Sequence, residues 1–124
     1  MTISLNQARK LQSLGVDKYA EKSWWSNPVQ TDEPFLDSCN ADVDACYLMH
    51  IAQAYNAEEL LGMLKGDLEI YRFEGECTVS TAVNHSNPSQ DCTTFYGATL
   101  TEALGNKLIY DLENGIITAE EANR

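Results

Sequence analysis

Thr99-Leu-Thr-Glu-Ala-Leu-Gly-Asn-Lys-Leu-Ile-Tyr-Asp-Leu-Glu-Asn-Gly115 is the stretch whose reading decides the fold. Leu100, Ala103, Leu104, Lys107, Leu108 and Leu112 recur at helical spacing, so one face is mostly apolar. Thr99 and Glu102 stand three apart, as in a capping box. The hydroxyl accepts an early helix N–H, and the carboxylate reaches back to the cap N–H. Asn114-Gly115 reads as the stop, because glycine tolerates the left-handed conformation that ends helices. Gly105 is the weak point inside, costing about 1 kcal/mol against Ala. Its presence predicts close approach to a neighbouring backbone. A helix this amphipathic needs an apolar surface to lie on.

Working outward, the other elements supply that surface. Cys92 to Tyr96 reads as a strand leading into the helix. Cys77, Val79, Thr81 and Val83 alternate against polar neighbours, which predicts a strand with one wet face. Leu68 to Phe73 is its partner, across a hairpin turn at Glu74-Gly75-Glu76. Asn56-Ala-Glu-Glu-Leu-Leu-Gly-Met-Leu-Lys-Gly66 is a second helix: Asn56 caps it, Leu60, Leu61 and Leu64 pack, and Gly66 stops it. Cys46 to Ala52 has strand character, with a helix as the alternative. Ser23-Trp-Trp-Ser26 reads as a strand that points Trp24 and Trp25 to opposite faces. Ser4 and Gln7 cap a first helix whose stripe is Leu5, Ala8, Leu11 and Leu14, closed by Gly15. Thr118 to Glu121 is a short helical turn in a tail, 116–124, that is expected to fray. The whole chain reads as one domain, 1–124, of class α+β. We expect a mainly antiparallel sheet of about four strands packed against three helices.

Asn27 to Ala45 stands apart. It holds Pro28, Pro34, Asp32, Glu33, Asp37, Asp42 and Asp44, with no base. Crowded like charges favour an extended, solvated loop, and prolines oppose regular pairing. Loops this long in compact domains are often functional. Phe35 and Leu36 are an apolar pair inside this acidic run, so they either pin the loop to the core or meet a partner. Asp32, Glu33, Phe35, Leu36, Asp37, Asp42 and Asp44 are therefore the candidate protein-binding residues.

The order of these motifs resembles a loose set of small uncharacterised phage and prophage proteins. The shared features are the opening Gln7-Ala8…Leu11…Leu14-Gly15 helix, the Trp24-Trp25 strand and the Asn56…Glu59-Leu60-Leu61 helix. The closing Glu102-Ala103-Leu104 to Asn114-Gly115 helix completes them. Every one of these motifs is structural. The resemblance implies a mobile-element origin and brings no catalytic residues with it. The cysteines and the 27–45 segment depart from the usual pattern.

Charge narrows the function. The chain carries 19 acids against 8 bases, a net charge of −11. Such a surface repels phosphate, so direct nucleic-acid binding is not expected. Anionic membranes are disfavoured for the same reason. No apolar run reaches the length of a membrane span, and the N-terminus lacks the pattern of a signal peptide. We therefore expect a cytoplasmic protein, in the host cell. Cys39, Cys46, Cys77 and Cys92 match no zinc-knuckle or CxxC spacing and are expected as reduced thiols.

No catalytic constellation emerges. His50 lies in an apolar strand and reads as a bonded sheet residue. His85 sits in a polar loop without a partnered nucleophile. Asp37, Asn40, Asp42 and Asp44 lack the regular spacing of a calcium loop. Cys39, Cys46 and His50 lack a diagnostic zinc spacing. No cofactor or metal is expected. These features together lead to a non-enzymatic phage accessory protein that binds a host or phage protein. Within that class the expectation is an inhibitor of a host defence nuclease, of CRISPR or restriction type, because carboxylates can mimic phosphates. The alternative is a small-molecule or nucleotide-signal binder, or a small enzyme, using Trp24, Trp25 and His85.

Overall fold

A computed structural model of the chain describes residues 1–27, 31–38, 49–66, 68–81 and 94–124. In chain order the elements are α1 (Leu5–Ser13), β1 (Lys22–Asn27), β2 (Thr31–Ser38), β3 (Met49–Ala54), α2 (Ala57–Met63), β4 (Leu68–Phe73), β5 (Glu76–Thr81), β6 (Thr94–Gly97), α3 (Leu100–Glu113) and α4 (Ala119–Ala122). The class is α+β, and every pairing between these strands is antiparallel. The described strands form two sheets of three, ordered β2-β1-β3 and β4-β5-β6, where one sheet of about four was expected. A short fourth helix joins the expected three.

α3 starts where Thr99 places it. The Thr99 hydroxyl accepts from the Glu102 N–H at 3.2 Å. The Glu102 carboxylate reaches one residue further back than expected and accepts from the Ala98 N–H at 3.1 Å. At the other end Gly115 has φ +71. Its N–H and that of Ile116 donate to the carbonyls of Leu112 and Asp111, the paired bonds of a Schellman stop. α1 ends the same way at Gly15, where Gly15 and Val16 donate to Gln12 and Leu11. Between them, α3 buries Ala103, Leu104 and Leu108 completely. Each of those leucines contributes about 1.5–3 kcal/mol relative to an exposed one.

α1 and α3 are joined through Gln7. Its side-chain oxygen closes the box by accepting from the Ser4 N–H at 3.3 Å. Its amide N–H group donates to the Glu102 carbonyl and to Asn106 Oδ1, both at 2.9 Å. This explains Gly105. A methyl there would lie 2.8 Å from Gln7 Nε2 and 3.1 Å from Ile3 Cγ2. The close neighbour is thus a pair of side chains, not the backbone the sequence suggested.

Tyr55, Ile3, Leu11, Leu60 and Ile117 complete a core shared by α1, α2, α3 and the ends of the sheets. In α2, Asn56 and Glu59 cap reciprocally, and Leu60 and Met63 are buried. Leu61, expected to pack, is 41% exposed, because Met63 faces the core in its place. The Glu74-Gly75 hairpin is a two-residue turn with φ +49 and +82, and it joins the Phe73–Glu76 pair. Positive φ at both positions is the geometry that suits the twist of the flanking strands.

The tail packs onto the body. Thr118 and Glu121 cap α4 reciprocally, and Ile117 and Ala122 are buried. Asn123 Oδ1 accepts from the N–H groups of Asp17 and Lys18 at 2.8 and 3.0 Å. Its amide donates to the Gly15 carbonyl at 2.9 Å. Lys65 pairs with Glu121. Among the described residues, no helix is long and apolar enough to cross a membrane.

Candidate functional site

The acidic segment expected as a loop contains a strand. β2 runs antiparallel to β1, pairing Ser38 with Lys22, Asp37 with Ser23, Leu36 with Trp24 and Phe35 with Trp25. The register then slips, and Asn27 pairs with Thr31. Pro34 falls within that slip. β2 is an edge strand, and an edge or an irregularity is where a sheet accepts proline. The two tryptophans on β1 offer β2 more apolar surface than solvation of its carboxylates can outweigh, so cross-strand packing decides the local structure.

Trp24 and Trp25 do point to opposite faces. Trp24 packs against the core, and its indole N–H donates to the Ile3 carbonyl at 3.3 Å. Trp25 points to the outer face. Its ring meets His50 edge-on, with centroids 5.1 Å apart, and its N–H donates to the Ser38 carbonyl at 3.2 Å. β3 shares the face, with Gln53 opposite Ser23 and His50 opposite Trp25. Two rows therefore cross the outer face of the first sheet. One is Phe35–Trp25–His50, and the other is Asp37–Ser23–Gln53.

The candidate residues distribute as follows. Phe35 is half-buried on the outer face beside Trp25. Asp37 is exposed on that face, and its Oδ1 accepts from the Ser38 N–H at 2.7 Å. Leu36, on the Trp24 side, is 41% exposed. Neither Phe35 nor Leu36 belongs to the buried core. Glu33 is exposed, and Asp32 lies on the same strand. Asp42 and Asp44 lie outside the described residues, as do Cys39, Cys46, Cys92 and His85. Sequence reasoning missed Ser23 and Gln53 as members of the face. Their only signal was their place two residues from Trp25 and three from His50.

His50 Nε2 lies 2.9 Å from Ser23 Oγ, the spacing of a base and a nucleophile. Ser23, however, is fully buried, and its hydroxyl donates to Gln53 Oε1 at 3.3 Å. Gln53 Oε1 is itself held by the Ala20 N–H at 2.9 Å. The serine hydroxyl links the His50 ring to the Gln53 amide, and the trio fastens β1 to β3. Cys77 is a half-buried free thiol on the second sheet. Among the described residues, no group of three or more His, Cys, Asp or Glu side chains is placed to hold a metal ion.

Two open hollows lie elsewhere. One, of about 220 Å³, is lined by Met1, Thr2, Glu21, Lys22, Ala54, Asn56 and Glu59. The other, of about 170 Å³, lies between Tyr19, Tyr55 and α2. Neither is lined by Trp24 or Trp25. No protein-family model, curated protein or solved structure matches the chain.

Proposed function

We propose that this chain is a non-enzymatic accessory protein of the phage type, which acts by binding another protein through β2 and the outer face beside it. The observation that carries this reading is the meeting of two kinds of residue on one sheet edge. Phe35, Trp25 and His50 form an aromatic row, and exposed Asp37 and Glu33 lie on the edge strand next to it. Aromatic anchors with a charged rim are the anatomy of a recognition surface. The net charge of −11 selects a basic partner. A defence nuclease, whose nucleic-acid channel is basic, fits that chemistry. Asp32, Asp42 and Asp44 extend the acidic run on either side in sequence.

Affinity capture tests this reading, using the tagged chain and lysate of the cell that carries it. The wild type should retain a specific basic protein. Replacing Phe35 and Leu36 with Ser should lower retention about tenfold, a change of about 1.4 kcal/mol in binding. The same pair should cost only about 1 kcal/mol of stability, as loss of half-exposed cross-strand pairs does. Unfolding by several kcal/mol would instead make the pair structural. A measured turnover with no retained protein would remove the reading altogether.

A further inference from the structure

Gly62 lies within α2, where glycine costs a helix about 1 kcal/mol against alanine. Nothing in the fold requires it. Its backbone is not left-handed, unlike that of Gly15, Gly66, Gly75 and Gly115. A methyl built on it would meet nothing within 4 Å among the described residues. Gly97 and Gly105, by contrast, are each crowded by neighbours. What Gly62 does face is the open hollow of about 170 Å³ that it lines together with Lys18, Tyr19, Tyr55, Glu58, Glu59 and Met63. A cavity of about 150 Å³ is enough to take a benzene-sized molecule.

We infer that the missing side chain at Gly62 keeps this hollow open for an alkylammonium group, held between Tyr19, Tyr55 and Met63 and neutralised by Glu58 and Glu59. The carboxylates decide the sign of the guest. Glu59 is fixed in place: Oε1 accepts from the Asn56 N–H at 2.9 Å, and Oε2 accepts from the Glu21 N–H at 3.1 Å. Each oxygen keeps a further acceptor position for a guest N–H. Glu58 is exposed one residue earlier on the same helix. The one cation on the lining, the Lys18 ammonium, donates to the Arg124 carbonyl at 3.2 Å. An anion would be repelled here. A neutral apolar guest would strip water from the two acids and return no partner. The tyrosines decide the guest's shape. Tyr55 is buried, with its hydroxyl donating to the Lys18 carbonyl at 2.6 Å, and Tyr19 is 64% exposed. Aromatic rings beside carboxylates suit a cation on a short apolar stem, because the ring attracts the charge and the stem covers apolar surface.

Titration of the isotope-labelled full chain with n-butylammonium chloride, followed by NMR, reads the site directly. The amide signals of Tyr19, Glu58, Gly62 and Met63 should shift and saturate, while 1-butanol, of the same length but uncharged, should leave them in place. Glu58→Gln and Tyr19→Ala should each weaken binding about threefold, the worth of one exposed charge or ring contact. Gly62→Leu should place a side chain over the hollow and weaken binding at least tenfold. It should also unfold at a urea concentration no lower than the wild type, since leucine is the better helix former. A short neutral peptide carrying one lysine separates two sources of the same group. Shifts with both probes assign the hollow to a protein side chain, and shifts with butylammonium alone assign it to a free amine; either supports the inference. No saturable shift with any ammonium probe overturns it. So does equal response to 1-butanol, which would make the hollow merely apolar, or a Gly62→Leu chain that binds as the wild type does.

Discussion

Asp111→Ala should lower the stability of the chain by about 3–5 kcal/mol, read as a shift in the urea unfolding midpoint. Lys107 and Asp111 lie one turn apart on the buried side of α3, with side chains only 5% and 3% exposed. The ammonium donates to both carboxylate oxygens, at 3.1 and 3.0 Å. It also sits 5.6 Å from the centre of the Phe95 ring on β6, a favourable place for a cation. Removing the carboxylate leaves that ammonium buried with the ring as its remaining partner. The cost of such an orphaned charge exceeds what the pair contributes when intact. Lys107→Met combined with Asp111→Leu should therefore recover most of the loss, since apolar groups of similar size need no ionic partner. A single variant within about 0.5 kcal/mol of wild type, the range of surface changes, would show that the pair is solvated in solution.

Gly97→Ala should cost about 3 kcal/mol, the upper part of the range for overpacking a well-packed site. A methyl at Gly97 would lie 2.5 Å from the backbone nitrogen of Ala103. It would also lie 2.9 Å from Glu102 Cβ and from the Thr99 carbonyl oxygen. Those atoms belong to the first turn of α3, which is fixed by its cap, so they cannot yield as the end of a long side chain can. Relief requires β6 and α3 to separate, which weakens the Gly97–Cys77 pairing as well. At Gly105 the crowded neighbours are side chains, and Ala regains about 1 kcal/mol of helix propensity there, so its substitution should be the milder. A Gly97→Ala protein as stable as wild type would mean that the junction is looser than these distances require.

The elements legible in the sequence were those specified by local chemistry. Ser4, Asn56, Thr99 and Thr118 each accept from the N–H three residues on, and the glycines at 15 and 115 close Schellman stops. Such interactions span a few residues, so spacing alone reveals them. Val79 is buried between half-exposed Thr78 and Ser80, which period-two alternation had implied. The number of sheets and the course of β2 depend on long-range partners, and these leave no local trace. Asp32, Glu33, Pro34 and Asp37 are poor strand formers. What makes them a strand is the pair of tryptophans on β1, and no pattern within 27–45 reports those. Lys107 was visible on the apolar face, but its burial is decided by Asp111 and Phe95 together. Phe35 and Leu36 were singled out as an apolar pair in an acidic run, and Asp37 as one of its acids. Their alignment with Trp25, Ser23 and His50 is a product of register, which no single stretch encodes.

The binding role assigned to β2 is tested most directly by the ionic-strength dependence of the captured complex. The dissociation constant should be measured for the wild type and for a Glu33→Lys, Asp37→Lys double variant, from low salt to well above physiological ionic strength. If the exposed acids of β2 steer a basic partner onto the aromatic row, the wild-type complex weakens steeply as salt rises, because exposed charges are screened beyond about 8–10 Å at physiological strength. The double variant should then bind weakly at low salt and show little further dependence. A complex equally tight at every salt concentration and indifferent to the charge reversal would contradict the account, and would place recognition on an apolar surface away from β2.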